Sequence, residues 1–162
     1  MHKGMVRWLV LAVVVIVLDQ ITKLYITSHF AYGEVLRVLD VFNITFVYNP
    51  GAAFSFLHDA GGWQRYLFTA FALIVSGVIV YLLRKHHEET LFAGAISLVM
   101  GGAIGNVIDR MAYGKVVDFL DFHWGLAHFP AFNVADSAIC IGAGLMILDG
   151  FLKKSEEKSV QQ

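Results

Sequence analysis

Charge and cysteine are scarce in this chain, and each shortage excludes a class of protein. Charged residues make up 15% of the 162 positions, with a formal net charge of -1, and no basic stripe is present. That composition excludes a surface that tracks nucleic-acid phosphates, so no nucleic-acid partner is expected. The single cysteine, Cys140, excludes an internal disulfide, and its apolar surroundings indicate a small packing residue.

Several catalytic motifs are also missing. The sequence contains neither the His-Glu-x-x-His zinc motif nor the Gly-x-Ser-x-Gly elbow of serine hydrolases. Asp121, His123 and His128 fit no standard metal-ligand spacing, and we interpret the two histidines as interfacial. A Ser–Lys dyad would require Lys115 and Ser137 to meet, which their positions only weakly favour. We therefore expect no bound metal and no cofactor.

The chain is rich in apolar residues. Hydrophobic residues make up 57% of it, and four segments are long enough to cross a bilayer, which needs about 20 residues. We interpret the first as an uncleaved span and not a signal peptide, because no small-residue cleavage site follows it. The predicted fold is one domain, residues 1–162, of the all-α integral membrane class: a four-transmembrane-helix bundle with spans at about 6–26, 66–83, 91–108 and 135–152.

Small residues occur at helix-contact spacing in the third and fourth spans. Gly101 is followed by Gly105, and Ala138 by Gly142. Such pairs let helices approach closely in lipid, so packing alone explains them.

The basic residues predict the orientation of the bundle. If the spans alternate, seven of the twelve lysines and arginines lie on one side, and every group there directly flanks a span. Both termini are therefore predicted in the cytoplasm and both long loops outside. The inside residues are Lys3, Arg7, Arg84, Lys85, Lys153, Lys154 and Lys158, and the outside residues are Lys23, Arg37, Arg65, Arg110 and Lys115.

The first outer loop, about 27–64, carries a strand signal. Residues 35–39 and 42–48 are rich in β-branched and aromatic side chains, with a turn near Asp40, and they predict a small β-rich subdomain. Residues 52–57 are apolar but too short to span a membrane, so we interpret them as a short amphipathic segment that lies at the membrane surface or packs on the bundle.

Charged side chains within spans are costly, and each needs a partner or a task. Asp19 and Lys23 lie one helical turn apart in the first span, which favours a structural ion pair; a catalytic role for Asp19 is the alternative. Asn106, Asp109 and Arg110 share a face at the outer end of the third span. They form a polar helix end closed by an Asp109–Arg110 pair, or a face that binds peptide and anion, and the two readings are compatible.

Two carboxylates in apolar settings are the main candidates for chemistry. Asp118 follows two valines, and Asp136 stands at the start of the fourth span, where it is also a plausible helix cap. Both are predicted at one membrane depth, and the loop between them returns the chain to the same mouth of the bundle. Two close carboxylates cannot both ionise cheaply, so the pair would supply one general base and one general acid.

Assembled in order, these segments resemble signal peptidase II, the lipoprotein signal peptidase family of bacteria. The resemblance covers nearly the whole chain and rests on five motifs: DQITK at 19–23, NPGAAFS at 49–55, GGAIGNVIDR at 101–110, VVDF at 116–119 and FNVADS at 132–137. It implies an aspartyl endopeptidase of the bacterial inner membrane. The implied substrates are diacylglyceryl-modified prolipoproteins, cleaved before the lipidated cysteine at the periplasmic face.

The resemblance also implies that residues 52–57 form a mobile flap over the site, and it implies roles for individual residues. Asp118 and Asp136 would be the catalytic pair, with no metal, and the enzyme would be sensitive to the cyclic peptide globomycin. We expect it to contact membrane lipid and to act as a monomer. Substrate-binding positions would be Asn49, Gly51, Asn106, Arg110 and Asn133, with structural support from Asp19, Lys23 and Asp109.

Two functions of other classes stay open at this point. A small transporter or channel would line a polar path with Asp19, Asn106 and Asp109, and a membrane scaffold would use the aspartates only as caps and ion pairs. Transporters usually place their charges near the midplane, often in repeated halves, whereas here the polar groups gather at one face and no repeat is present.

Overall fold

The computed structural model describes residues 3–50 and 63–160 as four long helices with a small sheet at one end. Each helix contains a stretch long and apolar enough to span a membrane, which confirms the four predicted spans. Each also extends beyond its predicted span at both ends. The helices are α1 (Lys3–His29), α2 (Gln64–His86), α3 (Thr90–Tyr113) and α4 (Val134–Val160).

Helix α3 is the centre of the bundle, since it packs against α1, α2 and α4. Glycines make these contacts close, as the small-residue spacing predicts. A Cβ on Gly101 would lie 2.7 Å from Val15 Cβ on α1, and one on Gly142 would lie 2.6 Å from the carbonyl oxygen of Ala95 on α3. Gly102, which the spacing did not single out, faces the Ala135 carbonyl of α4 with no room for a side chain.

The sheet is antiparallel and has the order β1-β2-β3-β4. The first outer loop forms the predicted hairpin, β1 (Val35–Leu39) and β2 (Phe42–Asn49). The second outer loop, for which we predicted no strand, contributes β3 (Val116–Trp124) and the short β4 (Ala127–His128). The fold is therefore a four-helix membrane bundle with a small antiparallel sheet to which both outer loops contribute.

The sheet is fixed to the end of the bundle by an apolar cluster. Phe46, Val117 and Phe119 pack with Ile26 near the end of α1. Gly114, in the left-handed region at φ +73°, ends α3 and lets the chain enter β3 two residues later. Strand β3 therefore starts at the mouth of the bundle and carries Asp118 there. Gly51 and the predicted flap at 52–57 lie outside the described residues.

Candidate active site

Asp118 and Asp136 come from different elements and meet through one residue. Asp118 lies in β3 with 1% of its surface exposed, and Asp136 lies in the first turn of α4. The Asn133 side chain donates from Nδ2 to Asp118 Oδ1 at 2.6 Å, and the Asn133 backbone N–H donates to Asp136 Oδ2 at 3.3 Å. The structure thus brings together the two carboxylates that the sequence paired.

Asn133 also begins α4. Its Oδ1 accepts the backbone N–H of Asp136 at 2.9 Å, while Asp136 caps Asn133 in return, so the two residues form a capping box. The remaining Nδ2 contacts of Asn133 go to the Val117 carbonyl and to Asn106 Oδ1, and the residue is fully buried. The hydrogen bonds that begin α4 therefore also fix the position of Asp136.

Asn106 connects Asp136 to a buried cation. Lys23 Nζ donates to Asn106 Oδ1 at 2.9 Å, and Asn106 Nδ2 donates to Asp136 Oδ1 at 2.8 Å. Because an ammonium group can only donate, Lys23 orients the amide so that its NH₂ group faces the carboxylate.

Lys23 is held by two carboxylates in a buried ion cluster. Its Nζ lies 2.8 Å from Asp19 Oδ2 and 3.0 Å from Asp109 Oδ2, and all three side chains are at most 3% exposed. The predicted Asp19–Lys23 ion pair is confirmed. The predicted Asp109–Arg110 pair is wrong, because successive helical residues face different directions and Asp109 turns inward to Lys23.

The two carboxylates of the cluster also hold the backbone beside the candidate pair. Asp109 Oδ2 accepts the N–H of Val117, the residue before Asp118, at 2.9 Å. Asp19 Oδ1 accepts the N–H of Ala135, the residue before Asp136, at 2.9 Å. One ion cluster therefore fixes both chain segments that present the candidate catalytic groups.

Gln20 belongs to this network, although the sequence analysis gave it no role. Its Nε2 donates to Asp109 Oδ1 at 3.0 Å, and it also contacts Asp19 Oδ2 and the Gly105 carbonyl. The one available signal was its position inside the DQITK motif.

An apolar cavity of about 250 Å³ opens beside Asp136 between α2, α3 and α4. Its polar end is formed by Asn106, Arg110 and Asp136, and its walls include Phe68, Phe71, Val75, Val99 and Ile139. The Arg110 guanidinium lies 5.4 Å from the Phe68 ring, and its buried Nε has no hydrogen-bond partner within 3–50 and 63–160. Arg110 thus presents an unused donor next to the carboxylate pair.

Asp118 is poised to titrate near neutrality. Burial, and after it the negative charge of Asp136, raise the pKa of the Asp118 carboxyl from 3.8 to about 7. Hydrogen bonds from the side chains of Asn49 and Asn133 act in the opposite direction but are outweighed. Such a carboxyl can hold a proton at neutral pH beside an ionised partner.

The competing constellations do not assemble. Asp121 Oδ1 lies 2.8 Å from His128 Nδ1, and the rings of His123 and His128 stack at 5.0 Å, yet the described residues contain no cluster of three potential metal ligands. Ser137 donates its hydroxyl to the Asn133 carbonyl, while the Lys115 ammonium lies over the Tyr48 ring, so no Ser–Lys dyad is formed.

Comparison with known proteins gives one consistent result. A family model described as signal peptidase (SPase) II matches residues 11–152. The lipoprotein signal peptidase of Chromobacterium violaceum is 55% identical over 155 residues, covering 94% of this chain and 96% of that protein. That of Tolumonas auensis is 56% identical over 154 residues, covering 94% of each.

Solved structures agree with the model. A bacterial membrane enzyme determined by the in meso method at 2.3 Å superimposes with a TM-score of 0.82 at 34% identity, over 94% of this chain and 91% of that one. A second, at 1.9 Å, gives 0.77 at 35% identity, over 88% and 90%. The sequence match over most of the chain and the shared fold show that this multi-pass inner-membrane protein belongs to the signal peptidase II family.

Proposed function

We propose that Asp118 and Asp136 are the catalytic pair of this membrane aspartic endopeptidase, which removes the signal peptide from prolipoproteins. The observation that carries the assignment is the joining of two carboxylates, from β3 and α4, through Asn133 at the mouth of the bundle. The apolar cavity ending at Asp136 supports it, since a signal peptide is itself apolar.

The two carboxylates take different roles in this proposal. Asp118 begins protonated, because its pKa of about 7 leaves a large fraction of its carboxyl protonated at neutral pH. Asp136 accepts N–H groups on both oxygens at the N-terminus of α4, an environment suited to a carboxylate that acts as base. The proton thus has a defined starting position within a coupled pair.

The reaction then follows in two steps. Asp136 takes a proton from water as the water oxygen bonds to the scissile carbonyl carbon, and Asp118 gives its proton to the carbonyl oxygen. The neutral diol collapses when Asp136 protonates the leaving amine, the C–N bond breaks, and one diol hydroxyl returns its proton to Asp118. Both carboxyl groups end in their starting states, with one peptide bond hydrolysed by one water.

The surrounding residues divide into contacts and supports. Asn49, Gly51, Asn106 and Arg110 are proposed to meet the substrate, with Arg110 offering donors at the cavity end. Asp19, Lys23 and Asp109 are proposed to position the pair, because their side chains are buried and mutually paired. Asn133, for which the resemblance implied substrate contact, is proposed to position the pair as well, because its fully buried amide already bonds the Asp118 carboxyl and the Asp136 N–H. A diacylglyceryl anchor on the substrate would hold the scissile bond at headgroup depth, where the pair would lie.

The proposed orientation puts the active site at the periplasmic face and both termini in the cytoplasm. It is supported by Arg7, Arg84, Lys85 and Lys153, which lie at the bundle end opposite the pair. The enzyme is proposed to act as a monomer, since the pair and its supports all come from one chain.

The substrate class is tested by comparing two forms of one precursor. Purified enzyme in detergent should cleave a diacylglyceryl-modified prolipoprotein and leave the unmodified precursor intact, and globomycin should block the cleavage. Equal cleavage of both precursors would contradict the proposed role of the lipid anchor. Detection is by the mass of the released signal peptide.

A further inference from the structure

The end of the sheet farthest from the α3–β3 junction exposes large apolar side chains. We call residues 122–129 the Trp124 hairpin. Trp124 is 84% exposed, Leu126 is fully exposed, and Phe129 is 61% exposed. Contiguous apolar surface of this kind marks a site of interaction with a protein or a membrane, whereas single exposed apolar residues are ordinary.

Acidic and strongly basic side chains are absent from the hairpin, whose titratable groups are His123 and His128. No lysine, arginine, aspartate or glutamate occurs between residues 122 and 132. Gly125, at φ +60°, makes the tight turn that leaves Trp124 and Leu126 on the surface. Beside them lies an open apolar depression of about 370 Å³, lined by Val41, Phe122, His123, Trp124, Ala127 and Phe129.

The path of the chain ties this surface to the membrane-crossing helix α4. Phe132 pairs with Leu120 of β3 and precedes the start of α4 at Val134 by two residues. Its ring stacks on Phe122 at 5.9 Å and meets the edge of Phe129 at 5.9 Å. An aromatic surface thus runs without a break from the hairpin to the point where α4 becomes membrane-spanning.

Strand β3 also continues past its contact with the bundle. Phe119 packs with Ile26 at the outer end of α1, and β3 continues for five more residues to Trp124. At 3.3 Å per residue this is about 16 Å, more than the diameter of one helix. The hairpin therefore lies well beyond the contact of the sheet with α1, measured along β3.

We propose that the Trp124 hairpin lies in the interfacial layer of the bilayer and that its ligand is membrane lipid. Tryptophan is the side chain that this layer favours most, because its ring is apolar and its N–H can reach the headgroups. The absence of lysine, arginine and acidic side chains lowers the cost of bringing the hairpin into the lipid interface, and the chain runs directly from the hairpin into the membrane-spanning helix α4. The inference does not depend on the catalytic roles of Asp118 and Asp136.

Spin labels at three positions test the proposal. In a Cys140→Ser background, Leu126→Cys carries the label in the hairpin, Ile141→Cys is the lipid reference, and Glu88→Cys is the aqueous reference. Ile141 is 57% exposed and lies about 10 Å along α4 from its start, while Glu88 is exposed in the short loop between α2 and α3. Each variant is placed in nanodiscs of phosphatidylethanolamine and phosphatidylglycerol after monodisperse elution and a helical circular dichroism spectrum are verified.

The readout is collision of the label with oxygen, which concentrates in lipid, against collision with a water-soluble nickel chelate. We expect the oxygen-to-nickel ratio at Leu126 to be severalfold above that at Glu88 and to remain below that at Ile141, which lies deeper. A ratio equal to that at Glu88 would overturn the proposal. Protection from both reagents would also overturn it, since a second copy or another protein segment would then cover the hairpin.

Discussion

At the scale of single residues, the geometry of the pair depends on Asn133. Its side chain begins α4, orients Asp136 and holds Asp118, and no polar atom of its amide group is left over. The capping box with Asp136 is readable in the sequence, because an Asn three residues before an acidic residue is a helix-start signal. Its bond to Asp118 is not readable, since it joins residues 15 positions apart on a strand and a helix.

Replacing Asn133 should impair turnover more than stability. We expect Asn133→Ala to lower kcat by about 100-fold, with KM little changed, because the Asp118 carboxyl loses its side-chain donor and the first turn of α4, which carries Asp136, loses its cap. The loss of the cap should cost about 1 kcal/mol of unfolding free energy. Steady-state cleavage and thermal unfolding in detergent would measure the two effects.

Asn43→Ala is the matched control for that variant. Asn43 is likewise buried and donates to a carboxylate, Asp121, but it lies farther along the sheet. Its kcat should stay near that of the wild type. If kcat fell equally in both variants, general destabilisation would explain the result for Asn133→Ala.

The raised pKa of Asp118 predicts how stability changes with pH. The folded protein keeps the Asp118 proton up to about pH 7, whereas the unfolded chain releases it near 3.8. Between these values the folded state binds more protons, so the free energy of unfolding is highest below about pH 4 for this group and falls as pH rises toward 7. Thermal unfolding of the wild type and of Asp118→Asn across this range should show a decline that the variant lacks.

The same carboxyl should govern the alkaline side of the activity profile. As pH rises above about 7, Asp118 loses the proton that it donates, and the cleavage rate should fall. A rate that keeps rising to pH 9 would contradict the assignment of Asp118 as the acid.

At the scale of elements, α1 fixes the positions of α3, β3 and α4 relative to one another. Its Asp19 binds the start of α4, and its Lys23 holds Asp109, which in turn binds the start of β3. The four-residue spacing of Asp19 and Lys23 predicted their pair, because one helical turn fixes it. The links to Val117 and Ala135 were not predictable, since they depend on how separate helices pack.

Removing the buried cation should destabilise the whole assembly. Lys23→Met leaves Asp19 and Asp109 buried without their cation, at an expected cost of about 3–5 kcal/mol. Arg37→Met breaks the exposed Arg37–Asp40 pair and should cost less than about 1 kcal/mol. Similar unfolding temperatures for the two variants would contradict a supporting role for Lys23.

Helix spacing offers a second test at this scale. A methyl group at Gly102 would overlap the Ala135 carbonyl, one residue before Asp136, and should push α4 away from α3. Gly102→Ala should therefore lower both the unfolding temperature and the cleavage rate. Gly144→Ala, where nothing lies within 4 Å of the added Cβ, should change neither; a neutral Gly102→Ala would show that the contact can relax.

The strands show where local sequence stops being informative. The β1–β2 hairpin was predictable because its alternation and its turn are local features. Strand β3 was missed because it pairs with β2 across some 70 positions, and its first four residues are all buried, so no alternation marks it.

At the scale of the whole molecule, the four spans were the most predictable feature. Membrane insertion depends on the summed hydropathy of about 20 residues, which a sequence carries directly. The predicted membrane depth of Asp118 and Asp136 follows from those spans. The hydrogen bonds that connect them through Asn133 and Asn106 form only when the sheet packs on the end of the bundle. They depend on the assembled fold and could not be read from the sequence.

The central claim is that Asp118 and Asp136 together hydrolyse the prolipoprotein, and one measurement tests it most directly. Cleavage of a diacylglyceryl-modified precursor is followed for the wild type, Asp118→Asn and Asp136→Asn. Asp40→Asn serves as the control, because Asp40 is the same residue type in an exposed ion pair of the β1–β2 turn. All four proteins are first shown to be monodisperse and folded in the same detergent. We predict no cleavage by either pair variant and normal cleavage by the control, whereas cleavage retained by a folded Asp118→Asn or Asp136→Asn enzyme would contradict the claim.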